Sequence, residues 1–198
     1  MSVILASQSP RRRELLERMG IAEFNIIPAV GEEKARPGLT PAQLVEELSR
    51  QKAAEVAGKA RPEDVVIAAD TVVALDGKVL GKPHSEDEAF AMLSSLQGRR
   101  HQVYTGLTVR RGERSATLHE MAQVTFRPMT EEEIRAYIAT GEPMDKAGAY
   151  GIQGYGALLV EGIVGDFYTV MGLPVCRLGM LLRRFGVDPL LGEGGSPA

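Results

Sequence analysis

The apolar and polar positions of this chain alternate between strand-like runs and helix-like stretches, with clear punctuation between them. Residues 3–6 form an unbroken apolar run that ends in Ser7-Gln8-Ser9. Ser9 then stands as a helix N-cap with Pro10 at the first helical position, and the helix is expected to end before Gly20. A short strand is predicted near residues 24–28, followed by a polar loop carrying Glu32 and Glu33. Thr40-Pro41-Ala42-Gln43 has the form of a capping box and opens a helix reaching to about Ala57. Val65–Leu75 is the most β-branched run in the chain, and Asp76-Gly77 turns it back into Lys78–Leu80. Ser85, followed by Glu86, Asp87 and Glu88, caps a helix that stops at Gly98. Residues 102–110 and 116–126 read as two strands, and Thr130 with the three following glutamates caps a helix ending at Gly141.

Residues 142–156 are glycine-rich and irregular. Residues 157–160 and 167–170 are expected to form a hairpin around residues 162–166, and Pro174 starts the last helix. There is no internal repeat and no linker long enough to separate independent domains. The alternation predicts an α/β fold with a mixed sheet, with residues 1–191 as one domain and residues 192–198 as a disordered tail.

Composition narrows the function without naming it. The 198 residues are 44% hydrophobic and 25% charged, ordinary for a soluble globular protein. The net charge of -3 provides no overall basic field for nucleic acid, and 5% aromatics leave little for base stacking. Any anion site must therefore be local. The single cysteine excludes an intrachain disulfide, and Cys176, set in an apolar helical pattern, is expected in the core. With neither a signal-peptide pattern nor an apolar run near the ~20 residues of a spanning helix, the expected location is cytoplasmic, away from membranes.

Several residues stand out chemically. Asp70 interrupts an otherwise apolar strand, where a carboxylate costs several kcal/mol unless paired, protonated or bound to metal. It is either a structural cap on a backbone turn or a metal ligand or general base at a cleft mouth. Lys52 shares the inward stripe of Leu44 and Leu48, so it either snorkels its ammonium to water or meets a partner inside. Lys82, in Gly81-Lys82-Pro83, follows the hairpin that returns from the Asp70 strand, although a loop lysine is ordinarily solvated. Glu32 and Glu33 are either surface charge or an oxygen ligand for a hard cation, which takes one or two carboxylates plus substrate phosphates. Within residues 142–154, glycines permit close backbone approach, and Gln153 offers both donor and acceptor to a base edge. His84, His101 and His119 lack metal-ligand spacing. Arg11, Arg12 and Arg13 crowd a helix start that prefers negative charge. Together these residues suit a metal-bound polyphosphate better than a polynucleotide.

At this point the motifs resemble one family, the Maf-like nucleoside triphosphate pyrophosphatases. The matching pieces are Ser7-Gln8-Ser9-Pro10-Arg11-Arg12, Glu33, Lys52, Ala69-Asp70-Thr71, Gly81-Lys82-Pro83, residues 142–154 and Gly172-Leu173-Pro174. They occur in family order and span nearly the whole chain. The resemblance implies an elongated mixed sheet with flanking helices and two lobes around a cleft, like that of inosine triphosphate pyrophosphatases. It also implies a reaction dependent on a divalent metal, Mg²⁺ or Mn²⁺, that converts a nucleoside triphosphate and water to the monophosphate and pyrophosphate. Asp70 matches the family's proton acceptor and, with Glu33, its metal ligands; Arg12, Lys52 and Lys82 match phosphate-holding positions. Arg11, Thr71 and Gln153 match the branch that acts on dTTP and UTP rather than the branch acting on 7-methyl-GTP. With a substrate phosphate at the helix start, the arginines there gain a reason. Ser7, Ser9 and the backbone form the cradle, Arg12 clamps phosphate, Arg11 selects and Arg13 stands aside. The rival expectation is a non-catalytic nucleotide-binding regulator, since the family is also linked to arrest of septum formation. A homodimer is the expected assembly.

Overall fold

Val65–Leu75 (β3) is buried along nearly its whole length, and the strands around it account for its unbroken apolar character. In the computed structural model of the chain, which describes residues 1–191, β1 (Val3–Leu5) lies parallel to both β3 and β2 (Phe24–Ile26). The register sets Val3 beside Val65 and beside Phe24. Past β3 the sheet continues through β5 (Arg100–Arg111), β6 (Arg114–Phe126) and β7 (Val160–Val164), while β4 (Lys78–Leu80) pairs with β3 alone. Among the described residues the result is a mixed seven-stranded sheet, with β2-β1-β3-β5-β6-β7 in order and β4 beside β3. The Asp76-Gly77 turn between β3 and β4 holds both residues at positive φ, 51° and 77°, as a two-residue hairpin requires.

The helices follow their caps. They are α1 (Pro10–Arg18), α2 (Pro41–Ala57), α3 (Glu86–Leu96), α4 (Glu131–Ala139), α5 (Phe167–Met171) and α6 (Val175–Arg184). The capping box at Thr40 is complete, Ser85 accepts from the Glu88 amide, and a second capping box forms at Thr130. At α1 the N-cap Ser9 makes no side-chain cap bond; instead its amide donates to Ser7 Oγ at 3.2 Å.

The fold divides into two units. The first comprises Met1–Asp70, Thr105–His119 and the chain from Gly172; the second comprises Thr71–Tyr104 and Glu120–Met171. Strands β3, β5 and β6 contribute residues to both. In the first unit Ile4, Ala6, Ala53, Val56, Val66 and Ala68 pack together and seat α2 on the parallel strands. In the second unit, α3 and α4 bury Leu93, Leu96, Ile134 and Ile138 with Phe126 and Tyr150. His101 lies among them, fully buried, edge-on to Phe126 and Tyr150 and bonded through Nε2 to the Tyr150 hydroxyl at 2.9 Å.

Two expectations are corrected. Residues 167–170 are not the second arm of a hairpin but part of α5. Asp166 explains the change: its carboxylate accepts from the amides of Tyr168 and Thr169 and from the Thr169 hydroxyl, satisfying the first-turn donors. Residues 160–164, expected partly as turn, instead form β7 on β6, and Tyr155–Leu159 is a 3-10 turn. Cys176 is exposed rather than in the core. Helix α6 buries Leu178, Leu181 and Leu182, and Cys176, two residues before Leu178, falls on the opposite side. The expected tail, residues 192–198, lies outside the described residues.

His101 gives the fold a defined acid response. Burial lowers its pKa from 6.5 to about 4, and its Nδ1 has no hydrogen-bond partner among the described residues. The unfolded chain therefore takes up a proton that the native state refuses. Stability should be full above about pH 6.5 and decline as the pH falls toward about 4, by roughly 3 kcal/mol in all. Urea unfolding of wild type and His101→Leu across that range should show a smaller decline in the variant.

Candidate active site

Three parallel strands run their carboxyl ends toward one place in the first unit, the position where ligands gather in open α/β sheets. β1 leads into Ser7 and α1, β2 leads into the loop bearing Glu33, and β3 carries Asp70 three residues beyond its pairing with Leu5. Helix α2, packed over these strands, brings Lys52 to the same point.

The ion pairs define the centre. Lys52 Nζ is 2.5 Å from Asp70 Oδ1 and 2.8 Å from Glu33 Oε1. Lys52 and Asp70 are largely enclosed, with side chains 19% and 11% exposed, whereas Glu33 is 52% exposed. Asp70 is thus a paired carboxylate in an apolar strand, and Lys52 meets carboxylates instead of directing its ammonium to water. The two charges answer one another.

Arg12 forms the second part of the site. Its Nε donates to the Gly172 carbonyl at 2.7 Å and its Nη1 to Ser7 Oγ at 3.1 Å. Burial lowers the Arg12 pKa, attraction to Asp70 and Glu33 opposes that, and Arg11 adds repulsion. The guanidinium stays charged, so Arg12 sits in the field of both carboxylates. Arg11 is half-buried beside it. Arg13 faces solvent and pairs with Glu17 at 2.9 Å.

Thr71, Lys82 and Gln153 belong to the second unit. Leu80 pairs with Val73, so Lys82, two residues on, follows the end of β4 that meets the start of the second unit's part of β3. Lys82 and Gln153 are exposed. The segment bearing Gln153 is tied down by Glu142, which accepts from the Tyr137 hydroxyl at 2.9 Å and from the amides of Tyr155 and Gly156 at 2.8 and 3.0 Å. The Tyr137 oxygen in turn accepts from the Gly151 amide. Burial alone would raise the Glu142 pKa, but the donors from Gly156, Tyr137 and Tyr155 outweigh it and hold the carboxylate below its usual value.

A feature missed in the sequence anchors the loop that carries Glu33. Along one face of α2, Glu47, Gln51 and Glu55 recur every four residues and bind the loop from below. Glu55 accepts from the amides of Val30 and Gly31 at 3.1 and 3.0 Å. Gln51 bonds both the amide and the carbonyl of Lys34, and Glu47 accepts from the amide and side chain of Arg36. The Glu55 carboxylate is held down to about 2, first by Lys59 and then by these two amides. Gly31 leaves room for the contact, since a Cβ there would approach Glu55 Oε2 to 2.9 Å. The i, i+4, i+8 spacing was the available signal.

Among the described residues no group of three or more His, Cys, Asp or Glu could hold a metal. Asp70 and Glu33 form a two-carboxylate set that already shares a cation, the Lys52 ammonium. Such a pair of carboxylates is a donor set that suits a hard divalent ion.

Residues 2–185 match the family described as Maf-like protein. The chain belongs to that family. It is 52% identical over 188 residues to a dTTP/UTP pyrophosphatase of Carboxydothermus hydrogenoformans, covering 94% of this chain and 100% of that one. It is 50% identical over 185 residues to a dTTP/UTP pyrophosphatase of Bacillus velezensis, covering 93% and 97%. Among solved structures, a HAM1 protein from Coxiella burnetii is similar at a TM-score of 0.48 and 15% identity, covering 93% of this chain and 99% of that chain. No helix among the described residues of this Maf-like chain is long and apolar enough to cross a membrane.

The tie between α2 and the Glu33 loop can be tested directly. Glu55→Ala should leave the Val30 and Gly31 amides without acceptors and speed their hydrogen exchange by about tenfold, while α2 itself stays protected. Exchange followed by mass spectrometry of the segment around Gly31 measures this.

Proposed function

We propose that this chain hydrolyses dTTP and UTP to their monophosphates and pyrophosphate. The observation that carries the reading is the charge arrangement around Asp70: a carboxylate pair sharing the Lys52 ammonium, with the Arg12 guanidinium in the field of both. Full-length identity of about half the residues to enzymes with that name supports the choice of reaction and substrate.

In this mechanism Arg12, Lys52 and Lys82 hold the triphosphate, and Ser7 with the backbone at the start of α1 cradles an oxygen at the positive helix end. Asp70 orients a water against the α-phosphorus and accepts its proton as the new P–O bond forms. The bond from the α-phosphorus to the oxygen bridging to the β-phosphorus breaks, and pyrophosphate leaves with its charge stabilised by the arginine and lysines. A divalent cation, Mg²⁺ or Mn²⁺, would be held by Asp70 and Glu33 and would supply further charge neutralisation on the phosphates. Thr71 and Gln153 recognise the base and Arg11 helps select it.

The wider reading makes this a cytoplasmic nucleotide-pool cleaner, in which residues 1–191 work as one domain and modified pyrimidine triphosphates join the substrates. It carries a link to septum formation, a homodimeric assembly and no nucleic-acid or membrane partner.

Incubation with dTTP, UTP and Mg²⁺ or Mn²⁺ should release pyrophosphate and the monophosphate in equal amounts. Orthophosphate release would make the protein a phosphatase, and binding without turnover would make it a nucleotide-binding regulator. Asp70→Asn should lower kcat by about 10² or more, the usual worth of a general base. Arg12→Ala should weaken turnover of every nucleotide, whereas substitutions at Arg11 should reorder the nucleotides.

A further inference from the structure

Lys52 has two duties that it cannot perform at once. Its ammonium lies between Asp70 Oδ1 and Glu33 Oε1, at 2.5 and 2.8 Å. Those are the same two carboxylates that the proposed function assigns to the divalent cation, while Lys52 itself is assigned to phosphate. An ammonium within hydrogen-bond distance of both oxygens competes with any second cation that needs them.

We infer that Lys52 is a built-in competitor of the divalent cation, displaced from Glu33 and Asp70 at lowest cost when substrate phosphate offers it another anion. The inference rests on the proposed reading of Glu33 and Asp70 as metal ligands. Its physical content is a coupling. In the free protein, metal binding must push a largely enclosed ammonium, 19% exposed, away from both its partners. With a nucleotide present, the triphosphate receives that ammonium, so the cost falls. By linkage the nucleotide must tighten metal binding by the same factor that metal tightens nucleotide binding. The buttressing of the loop by Glu47, Gln51 and Glu55 keeps Glu33 at the site after the lysine leaves, so the carboxylate pair survives the exchange. The device would keep the protein from holding metal tightly while no substrate is bound.

Mn²⁺ titration of the full chain, read as loss of the free-ion electron paramagnetic resonance signal, tests the inference without turnover. Lys52→Gln should bind Mn²⁺ about tenfold more tightly than wild type in the absence of nucleotide, a typical size for a coupling between sites. Lys52→Arg, which keeps the cation, should bind it as wild type does. A non-hydrolysable α,β-imido analogue of dTTP should tighten Mn²⁺ binding to wild type by about the same factor and to Lys52→Gln by much less. Equal or weaker Mn²⁺ binding by a folded Lys52→Gln variant overturns the inference, as does analogue coupling that is unchanged in it. Should Lys52→Gln not fold, wild type alone decides through reductive methylation of Lys52 read by mass spectrometry. Labelling should rise when saturating Mn²⁺ is added and fall back with the analogue, and labelling that ignores Mn²⁺ overturns the inference. Failure here and failure of the proposed function are separable. Wild-type pyrophosphate release with no tightening in Lys52→Gln rejects only the competition, while tightening in a protein that releases no pyrophosphate rejects only the reaction.

Discussion

An ammonium shared by two carboxylates is the interaction on which the first unit is organised. Without Lys52, Asp70 would lose its ion-pair partner in an otherwise largely apolar strand, and breaking such an enclosed pair costs on the order of 3–5 kcal/mol. Meeting that requirement dictates much else. Helix α2 must lie across the parallel strands, which it does by packing Ala53 and Val56 against Ile4, Val66 and Ala68. The loop after β2 must return over α2, which it does by giving its amides to Glu55 and Gln51. Arg12 must be held away from free solvent yet kept charged, and the Gly172 carbonyl and Ser7 hydroxyl do that.

The local signals in the sequence translated into structure where one short segment determined the outcome. Val65–Leu75 with its Asp-Gly turn, the capping boxes at Thr40 and Thr130, and the proline at the start of α1 all required only neighbours a few residues away. The misreadings came where two local codes competed. Phe167, Tyr168, Thr169 and Val170 have strand propensity, but Asp166 supplies three hydrogen bonds to a helical turn, and capping prevailed over propensity. Cys176 has an apolar character that fits a core, yet the helical face chosen by three leucines excluded it.

The site was legible as a set of unusual residues rather than as an arrangement. Asp70 was conspicuous because of the strand around it, and Lys52 because of the stripe it interrupts. Their pairing across 18 positions, and the presence of Glu33 on the same ammonium, needed the fold. Glu47, Gln51 and Glu55 drew no notice because polar residues on a helix face ordinarily face water. Their spacing puts them on one face, but only the fold shows the loop above giving that face its backbone amides.

The bonds around Glu142 bear on how such an enzyme can change. The backbone on both sides of Gln153 is fastened by groups that are not Gln153: the Tyr137 hydroxyl holds the Gly151 amide, and Glu142 holds those of Tyr155 and Gly156. Position 153 is itself exposed and bears none of that burden. A lineage can therefore exchange the side chain at this place while the segment keeps its path. The path of the segment and the identity of its exposed side chain are thus carried by separate residues, so position 153 can change without unfastening the backbone around it.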